Sequence, residues 1–448
     1  MKVSIIETSG LGDRSYMVTD GDVAVVIDPQ RDIDRVLDLA RDSGVRITHV
    51  LETHIHNDYV TGGLELSRTV EAEYIVPAGD DVEYQRRAIA DGDVIDAGSI
   101  QLQAVHTPGH THHHMSYVLR DRTGSAVGVF TGGSMLHGTT GRTDLLGPAH
   151  TDDLTHAQFH SVRRLANELP DDAEVYPTHG FGSFCSATPS SGDSSTIAEQ
   201  RNNNPALTQD EQHYVDELIA GLSAYPAYYA HMGVINTRGP APVDLSMPEP
   251  VDPAELRRRI DNGEWVVDLR SRTAFAAGHL DGSLGFELST SFVTYLGWLF
   301  RWGAPLTLIG ANREQIADAR RELVRIGVDS VTGSAVGDVS VMANGTPLRS
   351  YRVADFGGLA AALQDGPVTV LDVRQEGEHN DSHIPGAINI PLHELADRLE
   401  EVPSREVWVH CGSGYRASIA ASMLDRRARS VVLVDDTFDS ATKLGVAA

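Results

Sequence analysis

The residue with the clearest chemical potential in this chain is Cys411, which opens the run Cys411-Gly412-Ser413-Gly414-Tyr415-Arg416. The apolar segment 406–409 precedes the run and the alanine-rich segment 417–424 follows it, a pattern that predicts a strand, a loop and a helix. Such a loop directs backbone N–H groups and the positive end of a helix dipole at whatever it encloses. We therefore predict that Cys411 is a nucleophilic thiolate near neutral pH, assisted by the charge of Arg416. The residues predicted to bind an anionic substrate are Gly412, Ser413, Gly414 and Tyr415.

A second chemical pattern lies near the N-terminus, where the apolar segment 47–52 runs into Thr53-His54-Ile55-His56-Asn57-Asp58-Tyr59. His54 and His56 are two residues apart, and Asp58 follows two residues later. Side chains at this spacing at the end of a buried strand can converge on one metal ion. The histidines that we expect in loops or at the surface are His112, His113, His114, His137, His150, His156 and His160.

The length and composition of the chain limit its domain number, its compartment and its partners. A chain of 448 residues is too long for one hydrophobic core and indicates about three domains. Two cysteines exclude a disulfide framework and favour a reducing cytoplasm. The formal net charge of −27 argues against nucleic-acid and anionic-membrane partners, and no apolar run reaches membrane-spanning length. We predict a cytoplasmic protein and leave its oligomeric state open, including a homo-oligomer.

The C-terminal half contains an internal repeat. Asp268 precedes His279 by the same interval that separates Asp372 from His383, within similar segments, which indicates two copies of one unit of roughly a hundred residues. Each copy alternates helix, strand, turn and helix, the pattern of a parallel α/β sheet. The first copy has the segment 310–314 where the second has its cysteine, and the chain has no cysteine between 185 and 411. We expect the first copy to be inactive and structural.

The strand Asp followed by Arg, the His383-Ile384-Pro385-Gly386-Ala387 run and the Cys411 loop together resemble the rhodanese family of sulfurtransferases. The resemblance is specific over residues 350–448 and weaker over residues 248–345. It implies that Cys411 carries sulfur as a persulfide and exchanges it among thiosulfate, a thiol and sulfite.

The N-terminal segment begins with short predicted strands at 3–6, 15–18 and 23–28, a helix near 33–43 and the strand 47–52. The histidine motif after that strand is followed in order by 105–111, 130–134, 141–144 and 176–180. In this order and spacing the set resembles the metallo-β-lactamase fold. The resemblance implies a metal site whose candidate ligands are His54, His56, Asp58, His110 and His179.

Two departures from that superfamily narrow the chemistry. Two-metal hydrolases carry a histidine where Tyr59 stands, so we predict at most one metal ion per chain. The single-iron persulfide dioxygenases resemble this chain through His54 and His110 and through the segments 141–144 and 195–205, but their aspartate ligand corresponds to Gly133. The resemblance implies one Fe²⁺, with His56 or Asp58 as a third ligand, whereas a three-histidine face would also suit Zn²⁺.

The predicted fold class is α/β multidomain: an N-terminal αββα metallo-β-lactamase-like sandwich at 1–240, an inactive rhodanese-like domain at 248–345 and a rhodanese-like domain with the Cys411 loop at 350–448. The predicted function is oxidation of a low-molecular-weight persulfide to sulfite, coupled to sulfur transfer at Cys411. In this interpretation Arg142 binds the carboxylate of the acceptor thiol. Two alternatives remain: a thioesterase-like metal hydrolase, and a metal-free N-terminal scaffold with sulfurtransferase activity alone.

Overall fold

The computed structural model describes residues 1–190 and 192–448. The chain forms two compact units, the first made of Met1–Asp244 and Leu323–Gly327 and the second of Leu245–Glu322 and Val328–Ala448. The division into three domains at 1–240, 248–345 and 350–448 stays a prediction.

Two β-sheets form the centre of the first unit. Its strands are β1 (Lys2–Thr8), β2 (Asp13–Asp20), β3 (Val23–Ile27), β4 (Arg46–Leu51), β5 (Glu73–Pro77), β6 (Arg87–Ile89), β7 (Val94–Ala97), β8 (Ile100–His106), β9 (Met115–Arg120), β10 (Ala126–Gly132), β11 (Met135–Leu136), β12 (Thr139–Thr140) and β13 (Glu174–Pro177). One sheet has the order β1-β2-β3-β4-β5-β6, the other has the order β13-β10-β9-β8-β7, and β11 pairs with β12. The strands and helix predicted before residue 53 are confirmed to within a few residues.

Helices cover the outer faces of these sheets. They are α1 (Asp34–Ser43), α2 (Gly63–Val70), α3 (Pro148–Glu168), α4 (Ile197–Asn203), α5 (Pro205–Thr208), α6 (Glu211–Gly221) and α7 (Tyr229–Arg238). A core of buried side chains such as Val25, Leu51, Leu102 and Phe130 fills the space between the sheets. Separate apolar clusters join α1 and α2 to the first sheet, and α3 and α6 to the second. This is the predicted αββα sandwich, and it follows from strands that are buried on both faces.

The second unit contains two further sheets. Its strands are β14 (Trp265–Asp268), β15 (Leu284–Gly285), β16 (Leu306–Gly310), β17 (Val331–Val336), β18 (Arg352–Ala354), β19 (Thr369–Asp372), β20 (Ile388–Asn389), β21 (Val407–His410) and β22 (Val431–Val434). Its helices are α8 (Pro253–Asp261), α9 (Arg272–Ala277), α10 (Phe292–Leu299), α11 (Arg313–Arg325), α12 (Val339–Met342), α13 (Phe356–Asp365), α14 (Glu376–Asp381), α15 (Tyr415–Arg426) and α16 (Phe438–Lys443), with 3₁₀ turns at Leu392–Glu394 and Leu399–Glu401.

These two sheets share one strand order. The first runs β15-β14-β16-β17 and the second runs β20-β19-β21-β22-β18, with parallel pairing throughout. A buried ion pair recurs at the same place, since Arg270 Nη2 lies 2.6 Å from Asp268 Oδ2 and Arg374 Nη2 lies 2.7 Å from Asp372 Oδ2. The predicted repeat of a parallel α/β unit is therefore present in three dimensions.

Within residues 1–190 and 192–448, none of the helices combines the length and the apolar character that crossing a bilayer requires.

Candidate metal centre and cysteine site

Three buried histidines meet at the carboxyl ends of strands in the first unit. His54 follows β4, His110 follows β8 and His179 follows β13, and all three side chains are fully buried. One ring nitrogen from each lies within 4.8 Å of the others. The sequence therefore brings three of the five predicted ligands to one point.

Hydrogen bonds fix which nitrogen of each ring faces that point. Nδ1 of His110 donates to the carbonyl oxygen of Arg142 at 2.7 Å, and Nδ1 of His179 lies 3.0 Å from Oδ1 of Asp13. A carbonyl and a carboxylate only accept hydrogen bonds, so the proton sits on Nδ1 and Nε2 is left with a lone pair.

His54 is held in the same tautomer through a relay. Thr53 donates its hydroxyl to Oδ2 of Asp28 at 2.7 Å, so its oxygen accepts from Nδ1 of His54 at 2.8 Å. Nε2 of His54 lies 3.2 Å from Nε2 of His179. Nε2 of His110 has no hydrogen-bond partner among the described residues.

Three buried acceptor nitrogens that face one another are costly without a cation between them. Without a metal, a proton on His179 offsets this cost. Burial lowers the pKa of His179, but the charges of Asp58 and Asp13 raise it to about 10. Burial and the neighbouring charge of His179 lower the pKa of His110 to about 3. Three Nε2 atoms whose Nδ1 atoms are held by other groups are the arrangement expected of a histidine metal site, so these residues fit a metal ion.

Asp58 lies beside His179. Its Oδ2 is 3.1 Å from Nδ1 of His179, and it shares a second group of converging atoms with His56 and His179. Although burial opposes ionisation, the charge of His179 holds the pKa of Asp58 well below its ordinary range. Asp58 therefore orients His179 in this conformation and offers a carboxylate next to the three imidazoles.

Nε2 of His56 lies among acidic and phenolic side chains. That atom is 3.2 Å from Oδ1 of Asp28, 3.3 Å from Oε2 of Glu52 and 3.0 Å from the hydroxyl of Tyr59. Its Nδ1 has no hydrogen-bond partner among the described residues. His56 therefore belongs to the group with Asp58 and His179, and the buried ring of Tyr59 stacks on it with the centroids 4.3 Å apart. The incomplete second metal site stays a prediction.

Gly133 has a steric reason to be glycine. A Cβ atom at Gly133 would lie 2.2 Å from Cδ2 of His110, so the imidazole occupies the space that an aspartate side chain would need. In this conformation, His110 in its observed place and a carboxylate at position 133 exclude each other. The backbone N–H of Gly133 donates to Nε2 of His114 at 3.0 Å.

His114 and His137 lie in loops, as expected, but neither is at the surface, because both side chains are buried. Nδ1 of His114 donates to the hydroxyl of Thr107 at 2.9 Å, and its ring stacks on His54 with the centroids 4.9 Å apart. His114 thus supports both His54 and the backbone at Gly133. Its position directly before the buried strand β9 was the available signal.

In this conformation, the guanidinium of Arg142 donates hydrogen bonds to other groups of the protein. Its Nε and Nη2 each donate to the carboxylate of Asp144 at 2.7 Å, and further hydrogen bonds reach the carbonyl oxygens of Phe184 and Ser223. A substrate carboxylate would have to compete with these acceptors. Substrate binding by Arg142 stays a prediction.

Cys411 lies between β21 and α15 with 1% of its surface exposed. We call residues 411–414 the cysteine loop. Gly414 has a φ of 87°, and a Cβ there would lie 2.1 Å from Oδ1 of Asp435, so the loop requires glycine at this position. Across residues 1–190 and 192–448, no acceptor pairs with the backbone N–H groups of 412–416, which leaves them available to an anion.

Arg416 does not stand as a lone charge. Its Nη2 and Nη1 bind the two carboxylate oxygens of Glu378 at 2.8 and 2.5 Å. Burial raises the pKa of Glu378, but the guanidinium of Arg416 lowers it below its ordinary value. Glu378 went unnoticed in the sequence, because 38 residues separate it from its partner.

In the first repeat, a side chain occupies one N–H group of the corresponding loop. Asp372 pairs with His410 in the second repeat and Asp268 pairs with Ile309 in the first, so the position equivalent to Cys411 is Gly310. Residues 311–312 form the first-repeat loop. The N–H of Ala311 donates to Oε1 of Gln315 at 2.8 Å, and Nε2 of Gln315 donates to the carbonyl of Leu269, after β14, at 2.8 Å.

Comparison with known proteins bears on both sites. Residues 11–179 match the metallo-beta-lactamase superfamily, and residues 357–442 match the rhodanese-like domain family. The human (Homo sapiens) protein named persulfide dioxygenase ETHE1, mitochondrial, is 30% identical over 248 residues, which are 55% of this chain and 83% of that protein.

Two further matches carry other names. A probable polyketide biosynthesis zinc-dependent hydrolase, BaeB, of Bacillus velezensis is 30% identical over 164 residues, 36% of this chain and 68% of that protein. The crystal structure of a metallo-beta-lactamase from Staphylococcus aureus subsp. aureus COL is 26% identical with a TM-score of 0.67, and the match covers 75% of this chain and 99% of that chain.

Proposed function

Because the chain belongs to the metallo-β-lactamase superfamily and carries a rhodanese-like domain after that fold, we propose that it oxidises a low-molecular-weight persulfide and transfers sulfur at Cys411. In the first reaction a persulfide R–S–SH, O₂ and water give the thiol R–SH, sulfite and two protons. In the second, sulfur moves between thiosulfate, Cys411 and a thiol.

The observation that carries the first reaction is the convergence of three buried Nε2 atoms from His54, His110 and His179. One Fe²⁺ held there would supply the redox chemistry with O₂ that sulfur oxidation requires. The chain's own residues orient this centre: Asp13 and Asp58 hold His179, the carbonyl of Arg142 holds His110, and Thr53 holds His54. Sequence similarity to proteins named persulfide dioxygenase supports this choice of reaction.

The second reaction is supported by the cysteine loop. The Cys411 thiolate attacks the outer sulfur of thiosulfate, the S–S bond breaks, and sulfite leaves with the electron pair. A thiolate then attacks the outer sulfur of the Cys411 persulfide and restores the Cys411 thiolate. The unpaired N–H groups of 412–416 stabilise the anions that enter and leave.

The test of the first reaction is metal content together with oxygen consumption. Protein purified without oxygen from iron-replete cells should hold one iron per chain and consume O₂ with a persulfide. His110→Ala should lose both the iron and the oxygen consumption. His112→Ala is the matched control, because His112 is exposed and follows His110 by two residues, and it should retain both.

The same measurement separates the alternatives. Similarity to the hydrolase BaeB and the pairing of Asp58 with His179 favour metal-dependent thioester hydrolysis as a second candidate. Two zinc ions per chain with thioesterase activity would establish it against the dioxygenase. A protein that binds no metal under these conditions, yet transfers sulfur, would act through Cys411 alone.

A further inference from the structure

The loop between β4 and α2 carries three of the five candidate metal ligands, His54, His56 and Asp58. We call residues 53–61 the ligand loop. Every residue of it except Ile55 is buried, and it contains no helix and no strand. Buried backbone N–H and C=O groups need hydrogen-bond partners, which an irregular loop does not supply from within itself as a helix does. The conformation of the ligand loop therefore depends on groups from elsewhere in the first unit.

One side chain, Asn236 of α7, meets three backbone groups of the ligand loop. Its Nδ2 donates to the carbonyl oxygens of His56 at 2.9 Å and Tyr59 at 2.8 Å, and its Oδ1 accepts from the N–H of Thr61 at 2.9 Å. The carboxamide satisfies all three groups only in this orientation, because the carbonyls need a donor and the N–H needs an acceptor. Asn236 is fully buried, so bulk water does not compete for these hydrogen bonds.

These three backbone groups depend on Asn236 alone. Across residues 1–190 and 192–448, no other group hydrogen-bonds to the carbonyl of His56, the carbonyl of Tyr59 or the N–H of Thr61. A buried carbonyl without a donor is costly, so the loop without Asn236 would favour another conformation. One nitrogen atom thus holds both ends of the turn 56–59, and Asp58 lies inside that turn.

The helix that carries Asn236 packs directly against the ligand loop. A Cβ at Gly233 of α7 would lie 3.0 Å from Oδ1 of Asn57, so glycine at this position lets the helix approach the loop closely. After α7 the chain turns at Gly239, whose φ is 91° and whose Cβ would lie 2.9 Å from Leu64 of α2. Because α7 is fixed against both the loop and the helix that follows it, the carboxamide has a rigid base.

The ligand loop lies within residues 11–179, which match the metallo-beta-lactamase superfamily, whereas α7 lies outside them. The support for the loop therefore comes from a part of this chain that the superfamily match does not include. Asp58, inside the supported turn, converges with His56 on His179. We propose that Asn236 is a positioning residue of the metal centre, which holds the turn 56–59 so that Asp58 and His56 stay within reach of His179. Asn236 acts through the loop backbone.

This inference rests on the metal centre of the proposed function, so its first test uses the metal-free protein. Asn236→Asp keeps the size and the acceptor of the side chain, but it replaces the donor with a carboxylate oxygen that repels the carbonyls of His56 and Tyr59. Hydrogen–deuterium exchange, measured by mass spectrometry, should become about fivefold faster or more in the peptide that covers the ligand loop, as the loss of one hydrogen bond allows. Peptides from β8, β9 and β10 should exchange as in the wild type.

The matched control makes the same substitution at the surface. Asn202→Asp changes an exposed asparagine of α4, whose Nδ2 donates only to the carbonyl of Ala198 in its own helix. It adds the same charge to the first unit. Exchange in the ligand loop should therefore stay at the wild-type rate.

The second test titrates the metal-free protein with Co²⁺, whose visible absorption reports the ligands around it. Asn236→Asp should weaken Co²⁺ binding by about 10–100-fold, the loss that follows when a residue supporting a metal ligand is replaced, and it should shift the absorption maximum. Asn202→Asp should keep the wild-type affinity and spectrum. Asn236→Ala is the second variant should Asn236→Asp fail to fold, as judged by circular dichroism. It also lacks the donor, and it should change both measurements in the same direction.

The two tests distinguish the inference from the proposed function. A wild type that binds no Co²⁺, with exchange raised only in the ligand loop of the variants, would support the hold of Asn236 on the loop and reject the metal centre. Co²⁺ binding by the wild type, with the same affinity and spectrum in both Asn236 variants, would reject the inference. Exchange that rises equally throughout the first unit would also reject it, because Asn236 would then stabilise the fold as a whole rather than position the loop.

Discussion

In the second repeat the loop after β21 leaves the N–H groups of 412–416 without an acceptor among the described residues, whereas in the first repeat the N–H of Ala311, after β16, donates to Gln315 of the following helix. The scaffolds behind the loops agree in strand order and in the buried Asp–Arg pair. The two loops differ in length: the cysteine loop has four residues and the first-repeat loop has two. The longer loop contains Gly414, whose backbone is in the left-handed conformation.

The parallel sheet alone does not make the site, because both repeats have it. In the first repeat, Gln315 accepts from Ala311 and donates to Leu269, and each such hydrogen bond contributes about 1 kcal/mol. An anion would have to displace these bonds. In the second repeat, the N–H groups of 412–416 have no acceptor among the described residues, and Arg416 is held by Glu378.

The largest expected effect comes from removing the nucleophile. Cys411→Ser should lower thiosulfate-to-cyanide sulfur transfer by about 10³-fold or more, since losing a covalent nucleophile costs up to about 10⁶-fold in kcat elsewhere. Metal content should not change. Cys185→Ser is the control, because Cys185 is the other cysteine of the chain and should leave transfer intact. If Cys411→Ser retained sulfur transfer, the cysteine loop would not be the site of this reaction.

The next effect concerns the shape of the cysteine loop. Gly414→Ala should lower sulfur transfer by about 100-fold, since a side chain at this φ is strained and its Cβ meets Asp435, and a displacement of about 1 Å can cost that much. Gly345→Ala in the first repeat has a similar φ of 85° and open space around its Cβ. It should carry the same backbone strain without the steric clash and leave transfer unchanged. Equal activities of the two variants would show that loop shape is not limiting.

A smaller effect should follow from neutralising Glu378. Glu378→Gln removes a negative charge next to an anion site, so we expect KM for thiosulfate to fall by a few-fold, with a modest loss in kcat as Arg416 loses its two-point contact. Steady-state kinetics at low ionic strength measures both changes. Glu376→Gln, two residues earlier on α14, is the matched control. An increase in KM would mean that orientation of Arg416 outweighs the charge of Glu378.

Local patterns were sufficient to predict much of this molecule. The apolar segment 406–409 and the alanine-rich segment 417–424 on either side of the Cys411 run predicted a strand, a loop and a helix, and the structure has β21, the cysteine loop and α15 there. Hydrophobic alternation located the first strands, because each strand buries its side chains in a sheet. The spacing of His54, His56 and Asp58 indicated a shared centre.

The remainder depends on pairings that no local pattern encodes. Glu378 reaches Arg416 and Tyr295 reaches Tyr415 across long sequence separations. The orientation of His56 is decided by Asp28 and Glu52, and the need for glycine at 133 is decided by the His110 ring. Within the segment 310–314, the equivalent of Cys411 is Gly310, and the strand register was needed to identify it.

The smallest effect is expected when a thiol is placed next to the first-repeat loop, and this variant tests the comparison of the two repeats most directly. In a Cys411→Ser background, Gly310→Cys puts a cysteine at the equivalent strand position, where its Cβ would meet the end of the flexible Ile316 side chain at 2.9 Å. We expect slow alkylation by iodoacetamide, because Gln315 occupies the N–H of Ala311 and no arginine stands where Arg416 does. Adding Gln315→Ala frees that N–H group, so the alkylation rate should rise by a few-fold, as stabilisation of a thiolate by one backbone donor of about 1 kcal/mol allows. Thiosulfate sulfur transfer should stay absent in both variants. If Gly310→Cys alone reacts as fast as native Cys411, the shared sheet rather than the loop sets thiol reactivity, and the contrast between the two repeats fails.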